Sequence, residues 1–275
     1  MPIPHPAIAE QPVPEPDATD LLGGPRPYAH AWRTALLTLV VWLVITEGGG
    51  IISAGGHMTQ LPTLISTRLA IGVAAAAAFI VLAISVLHWW RVVGFVRPSE
   101  TGLLRLPSLV VLAFLAITIA ERQLFQPGTG LVVLNTLLVG VSEELMFRGV
   151  LLFGARVRFG TNRAVFVTAA IFGAVHTLNA LVTGNLPAAV IQALIASFFG
   201  VWAGALRVRT ESLLPLIVIH WMWDGLLVLG GAGVAIVALV CAPALLFWGL
   251  RIMREYEEPP VAALVPPGPA APGSA

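Results

Sequence analysis

Apolar residues along this chain fall into runs of about 20, the length that crosses the hydrocarbon core of a bilayer as a helix. The runs are separated by short clusters of Arg, Pro and Gly. Eight of them stand at roughly 32–54, 68–90, 104–124, 131–155, 163–183, 187–207, 212–229 and 231–251. The pattern predicts an all-α polytopic membrane protein with about eight transmembrane helices. A transmembrane barrel would need alternating strands of about 10 residues, and none is visible. Pro62, Pro98, Pro107, Pro127, Pro187 and Pro215 fall in connections or first turns, where a missing N–H costs little, whereas Pro243 falls inside the last helix and predicts a kink there.

The flanks differ from the middle. Of the 21 prolines, 14 lie in the first 30 residues or after Glu255, so 1–30 and 255–275 read as disordered tails around a membrane domain over 31–254. No basic patch leads directly into an apolar run at the start, which argues against a cleavable signal peptide and makes the first membrane segment its own insertion signal. Twelve Arg fall on the side shared by both termini: Arg26, Arg33, Arg91, Arg97, Arg105, Arg156, Arg158, Arg163, Arg207, Arg209, Arg251 and Arg254. Only Arg68 and Arg122 fall on the other. The split predicts a multi-pass protein of the plasma membrane with both termini cytoplasmic.

Composition narrows the function classes. The 275 residues are 57% hydrophobic and 11% charged, against about 25% charged in soluble domains, which excludes an ordinary soluble protein. A net charge of +1 with no basic stripe excludes nucleic acid as a partner. The single cysteine, Cys241, can form neither an internal disulfide nor a cysteine zinc site.

Because charge inside the membrane is costly, the few charged residues there mark a candidate site. The fourth segment, LVVLNTLLVGVSEELMFRGVLLFGA, carries Glu143, Glu144 and Arg148 near its middle. His176 lies about 13 residues, or roughly 20 Å, into the fifth, and the seventh carries His220 and Asp224. All share one depth. Glu144 and Arg148 are spaced to pair on one face, while Glu143 is rotated by about 100° and faces elsewhere. Turned toward one another, these groups would enclose a small wet pocket inside the bundle.

SEELMFRGVLL, FGAVHTLN and SLLPLIVIHWMWDG, in that order on three helices, resemble the three motifs of the CPBP family, the CAAX-protease and bacteriocin-processing intramembrane proteases. The resemblance runs from Ser142 to Asp224. It implies an intramembrane endopeptidase in which Glu143 and His176 activate a water, Glu144 and Arg148 form a supporting or substrate-orienting pair, and His220 and Asp224 stabilise the oxyanion. It also implies a peptide or protein substrate, lipidated or membrane-anchored in some relatives. Asp224 departs from the pattern, since many relatives carry Asn, which donates a hydrogen bond that an ionised Asp does not. Asp224 would then be protonated, orient His220 or help hold a metal.

The residues themselves leave water as the nucleophile. Neither GxSxG, SxxK nor HExxH is present, and Ser142 has no His within its motif. A carboxylate withdrawn from water binds its proton more tightly, which suits Glu143 to general-base work with His176. Glu143, His176, His220 and Asp224 are also acceptable ligands for a divalent metal such as zinc, so both a metal-free and a metal-assisted route stay open. Two other classes compete: a proton-coupled transporter using the same groups as a relay, and a non-catalytic immunity or scaffold protein. Among the weaker candidates, Glu47 marks a helix end or an outer-face opening, and Asn135 and Asn179 cross-link helices or line the pocket. Trp32, Trp89, Trp90 and Trp248 read as interfacial anchors, and Trp221 and Trp223 as groove-shaping or lipid-packing residues.

Overall fold

The computed structural model describes residues 28–55 and 58–256, so the tail expectations for 1–27 and 257–275 lie outside the described residues. These residues form α1 (Ala31–Ala54), α2 (Leu61–Thr67), α3 (Ile71–Leu87), α4 (Arg105–Ala120), α5 (Thr129–Glu143), α6 (Leu152–Phe159), α7 (Thr161–Val175), α8 (Ala180–Thr183), α9 (Leu186–Thr210), α10 (Leu214–Leu229) and α11 (Gly231–Arg254), with no strand among them. The protein is an all-α, integral, multi-pass membrane protein. Leu37, Val40, Val41 and Val44 on α1 and Leu109 and Leu112 on α4 face outward. In water such surfaces would be costly to expose, and in lipid they are the ordinary exterior.

Six continuous helical stretches are long and apolar enough to cross a bilayer: Ala31–Ala54, Thr101–Ala120, Thr129–Phe159, Thr161–Thr183, Leu186–Thr210 and Gly233–Arg254. The second and seventh expected segments are shorter. Ile71–Leu87 follows α2 across an 81° bend, and Leu214–Leu229 has 16 residues. The bend has a visible cause. Asn135 on α5, fully buried, accepts from the Ala70 N–H at 2.9 Å and donates to the carbonyls of Ile65 and Arg68 at 2.8 Å each. Its amide satisfies the backbone groups that a helix running from 68 would have paired internally, so α3 begins only at Ile71. α3 stops at Leu87, where His88 takes a left-handed conformation, and leaves Trp89 and Trp90 in the following turn.

Small residues let the central helices approach closely. α7 packs on α9, α9 on α11, and α1 on α3. A Cβ on Gly200 of α9 would fall 2.9 Å from the Ala169 Cα of α7, and one on Gly249 of α11 would fall 2.7 Å from the Trp202 Cα of α9. Gly49 and Gly72 meet backbone to backbone where α1 crosses α3. Without a hydrophobic drive between helices in lipid, such close contact is a main source of cohesion. α11 runs through Pro243 as one helix. Trp89 proves to be core rather than an interfacial anchor, edge-on to Phe153 and Tyr28 and 6% exposed.

The Arg-rich end is stitched together by polar contacts. The Ser99 N–H donates to the Thr210 carbonyl at 2.9 Å, Leu213 N–H to Gly94 at 2.8 Å and Arg207 Nε to Val93 at 3.2 Å. Arg209 Nε reaches Glu100 at 3.0 Å, and its hydrogen bonds hold the Glu100 carboxyl below the ordinary carboxylate range. The opposite end, where α1 leads to α2 and α8 to α9, is more open, joined by Thr59 N–H to Val182 at 3.1 Å and Arg68 to the Ser53 carbonyl at 2.8 Å.

Filling the α7–α9 contact is expected to push these helices apart. Gly200→Val should cost about 1–3 kcal/mol by overpacking, seen as a lower thermal unfolding midpoint in detergent. Gly130→Ala, where no atom lies within 4 Å of the added carbon, should leave the midpoint unchanged or slightly raised.

Candidate active site

The EELMFR stretch does not continue as an ordinary α-helix. α5 passes at Glu144 into a π-helical segment, Glu144–Leu151, and returns to α geometry in α6. All eight residues of this segment are buried. Wide π turns recur at functional sites, because they offset side chains that an α-helix would stack. Here four residues make slightly less than one turn, so Glu144 and Arg148 stay on one side, and Arg148 Nη1 donates to Glu144 Oε1 at 2.9 Å.

That same Oε1 accepts from His220 Nδ1 of α10 at 2.7 Å. Glu144 is fully buried, so its charge is met by two donors from two helices. With Nδ1–H committed to Glu144, His220 aims Nε2 at Asp224 Oδ2, 3.4 Å away, and at Glu143 Oε2, 3.7 Å away. Glu143 Oε2 has no hydrogen-bond partner. The Arg148 guanidinium carbon stacks 4.0 Å from the centre of the Phe172 ring, which gives a desolvated cation a π-face.

Phe172 also serves His176. α7 tightens into a 3₁₀ turn at His176–Asn179, and His176 Nδ1 donates to the Phe172 carbonyl at 2.7 Å, which leaves Nε2 as the acceptor. The two rings meet edge to face at 4.7 Å. The four-residue spacing of FxxxH therefore fixes both the tautomer of the His and the seat of the Arg.

A cavity of about 170 Å³ joins Glu143, His176 and Asp224, with Glu47, Asn135 and Asn179 also on its wall. A neighbouring cavity of about 310 Å³ is lined by Asp224, Asn179, Gln192, Thr136, Asn185 and Gln60. A pocket inside the bundle thus joins three of the expected groups, Glu143, His176 and Asp224. Glu143, Glu144, Arg148, His220 and Asp224 form one contact network. His176 shares the cavity with Glu143 and Asp224 but makes no hydrogen bond to either. Ser142 accepts from Trp42 Nε1 at 2.8 Å, a structural role far from nucleophilic. Asn135 and Asn179 do line the pocket, and so does Glu47. Trp223 packs on Phe114 and Phe199, and Trp221 donates to the Val133 carbonyl at 3.0 Å, so neither shapes a groove. Phe172, Phe199 and Gln192 carried no charge to mark them along the chain. For Phe172, only its fixed distance from His176 was a signal.

The donor set was also weighed for a metal. Among the described residues no three His, Cys, Asp or Glu converge as a cage. Glu143, His176, His220 and Asp224 as arranged do not fit a resident divalent ion.

Residues 125–226 match the family model described as type II CAAX prenyl endopeptidase Rce1-like. Over this stretch the chain is similar to the CAAX-protease family. The matched segment runs from the turn before α5 into α10 and includes Glu143, Glu144, Arg148, His176, His220 and Asp224, while Glu47 and Gln60 of the cavity walls lie outside it. A CAAX-type intramembrane endopeptidase acts on peptide or protein substrates, and this chain's buried polar network lies wholly within the part that resembles one. No curated protein and no solved structure matches the chain significantly.

Arg148→Met alone should destabilise the protein by about 3–5 kcal/mol, because Glu144 is left buried and uncompensated. Adding Glu144→Gln should recover a part of that loss while leaving His220 without its anionic acceptor. Denaturant unfolding of the single and double variants in detergent checks both statements.

Proposed function

We propose that Glu143 and His176 activate a water in the smaller cavity and that this water hydrolyses a substrate peptide bond. The observation that carries the reading is the place of Glu143, whose carboxyl keeps an unpartnered Oε2, on the wall of a cavity that also receives His176 and Asp224. Glu143 removes a proton from the water, with His176 Nε2 as a second acceptor holding it in line. The hydroxide adds to the scissile carbonyl carbon and places negative charge on its oxygen. His220 Nε2–H donates to that oxygen, and Asp224 keeps the ring protonated and oriented from 3.4 Å. Glu143 then returns its proton to the departing amine, the C–N bond breaks, and an acid and an amine leave. Glu144 and Arg148 act through His220: a fixed carboxylate sets the ring's angle before substrate arrives.

Peptide hydrolysis by this route draws only on the chain's own groups, so no step is assigned to a metal. Asp224 fits the role of orienting His220 where an Asn would instead donate directly. The substrates we assign are peptide or protein segments held at the membrane, lipidated or anchored, because the cavity walls combine Leu61, Leu64 and Ile65 of α2 with the polar groups of the site.

For orientation, the Arg-rich ends of α1, α4, α6, α7, α9 and α11 are placed in the cytoplasm together with both termini. The cavities lie toward the other ends, against residues 59–61 and 183–186. The site then receives substrate from the outer half of the plasma membrane.

Glu143→Gln should abolish cleavage, at least a thousandfold in kcat, with an unchanged unfolding midpoint; retained turnover would remove Glu143 from the mechanism. Prolonged chelation should leave the wild-type rate unchanged, and a loss restored by added zinc would establish a metal route instead. In a Cys241→Ala background, Asn185→Cys should react with a membrane-impermeant thiol reagent in intact cells, and Gly160→Cys only after permeabilisation. The reverse pattern overturns the orientation.

A further inference from the structure

Asn179 and Gln192 are the two neutral polar residues that stand on the walls of both cavities, and the mechanism uses neither. Asn179 closes the 3₁₀ turn that carries His176, and Gln192 projects from the first third of α9. Asn179 Nδ2 donates to Gln192 Oε1 at 2.9 Å. This bond leaves one side-chain acceptor, Asn179 Oδ1, and one donor group, Gln192 Nε2, unused by each other. Exchanging O and N in both amides reverses the pair and still leaves one acceptor and one donor. A backbone peptide unit offers the complement, an N–H and a C=O.

The rest of the lining bears on what enters. Gln60, Thr136, Thr183 and Asn185 are neutral, and the charged residues on the walls are Glu47, Glu143 and Asp224, with no Lys or Arg among the lining residues. Arg148 sits behind the network, buried against Phe172. A free α-carboxylate would meet anions there and no cation. A purely structural tether is the competing explanation of the amide pair. Yet the α7–α9 contact is already made through Gly173 and Gly200, and the Gln192 side chain is exposed.

We propose that the Asn179–Gln192 pair is a backbone clamp: it grips one peptide unit of an extended, uncharged, internal substrate segment next to Asp224 and so positions the neighbouring bond over Glu143. The clamp rests on the protease reading for its purpose but is testable without turnover.

The probe is a capped, fluorescein-labelled peptide of Ala, Leu and Ser, about ten residues long and spanning roughly 33 Å extended. Its binding to the Glu143→Gln protein in micelles is read by anisotropy. In a series of probes, one backbone amide at a time becomes an ester, which removes that N–H. One ester position should weaken binding about fivefold to tenfold, as for loss of one hydrogen bond. Asn179→Ala and Gln192→Ala should each weaken the all-amide probe by a similar factor, and the variant that removes the accepting oxygen, Asn179→Ala in the orientation shown, should erase the penalty at that position. In the active protein, Gln192→Ala should raise KM and leave kcat within about twofold. The uncapped peptide, with a free α-carboxylate, should bind more weakly than the capped one.

An ester penalty that persists in both variants, no penalty at any position, or no binding of the probe each overturns the clamp. Equal or tighter binding of the uncapped probe overturns its preference for an internal segment. If the ester coupling appears but the wild-type protein cleaves nothing, the clamp stands and the hydrolytic reading falls. If cleavage occurs without coupling, the hydrolytic reading stands and the clamp falls.

Discussion

A single oxygen, Glu144 Oε1, receives both the Arg148 guanidinium and the His220 imidazole. A carboxylate fully buried at mid-membrane is tolerable only with such partners, and those partners in turn restrict the helices that carry them. α10 must present His220 toward the π segment, and α7 must bring Phe172 beneath Arg148. The network thereby fixes where α5, α7 and α10 stand relative to one another before any substrate is considered. Burial of charge, usually a liability, here sets the geometry of a reactive cavity.

The fold was largely legible because lipid imposes a simple demand: every backbone group is satisfied within its own helix, and every long segment is apolar. Run length therefore returned the apolar helices in order, six of them long enough to span among the described residues, with the second bent and the seventh short. The ends were harder. Nothing local in 68–70 announces that the chain leaves helical geometry, since the cause is Asn135, 65 to 70 positions away along the chain. The charged site residues were legible for the opposite reason, that each violates the apolar rule. Phe172 and Gln192 obey or barely strain it, and their roles depend on which helix lies alongside.

The site's helices are irregular where they meet it. α5 widens into π turns at Glu144, α7 narrows into 3₁₀ at His176, and the α2–α3 connection bends at Asn135's contacts. Ordinary α geometry supplies the close Gly-mediated packing elsewhere, as at Gly200 and Gly249. The division gives the protein a tightly packed frame and a cavity whose polar groups point inward from broken or distorted turns. A regular bundle would have stacked those groups along helix faces instead.

The π segment also makes this part of the chain intolerant in length rather than in composition. Removing one residue between Glu144 and Arg148 would restore an α register, yet it would swing everything on one side by about 100° and draw it back by about 1.5 Å. Arg148 would leave the Phe172 ring, and Gly149 would no longer sit against Val93 and Leu213. Apolar residues such as Leu145, Met146 and Val150 are free to exchange with others of similar volume. The count of residues between the acid and the base is not free to change, so relatives of this protein should drift in spelling here while holding their spacing.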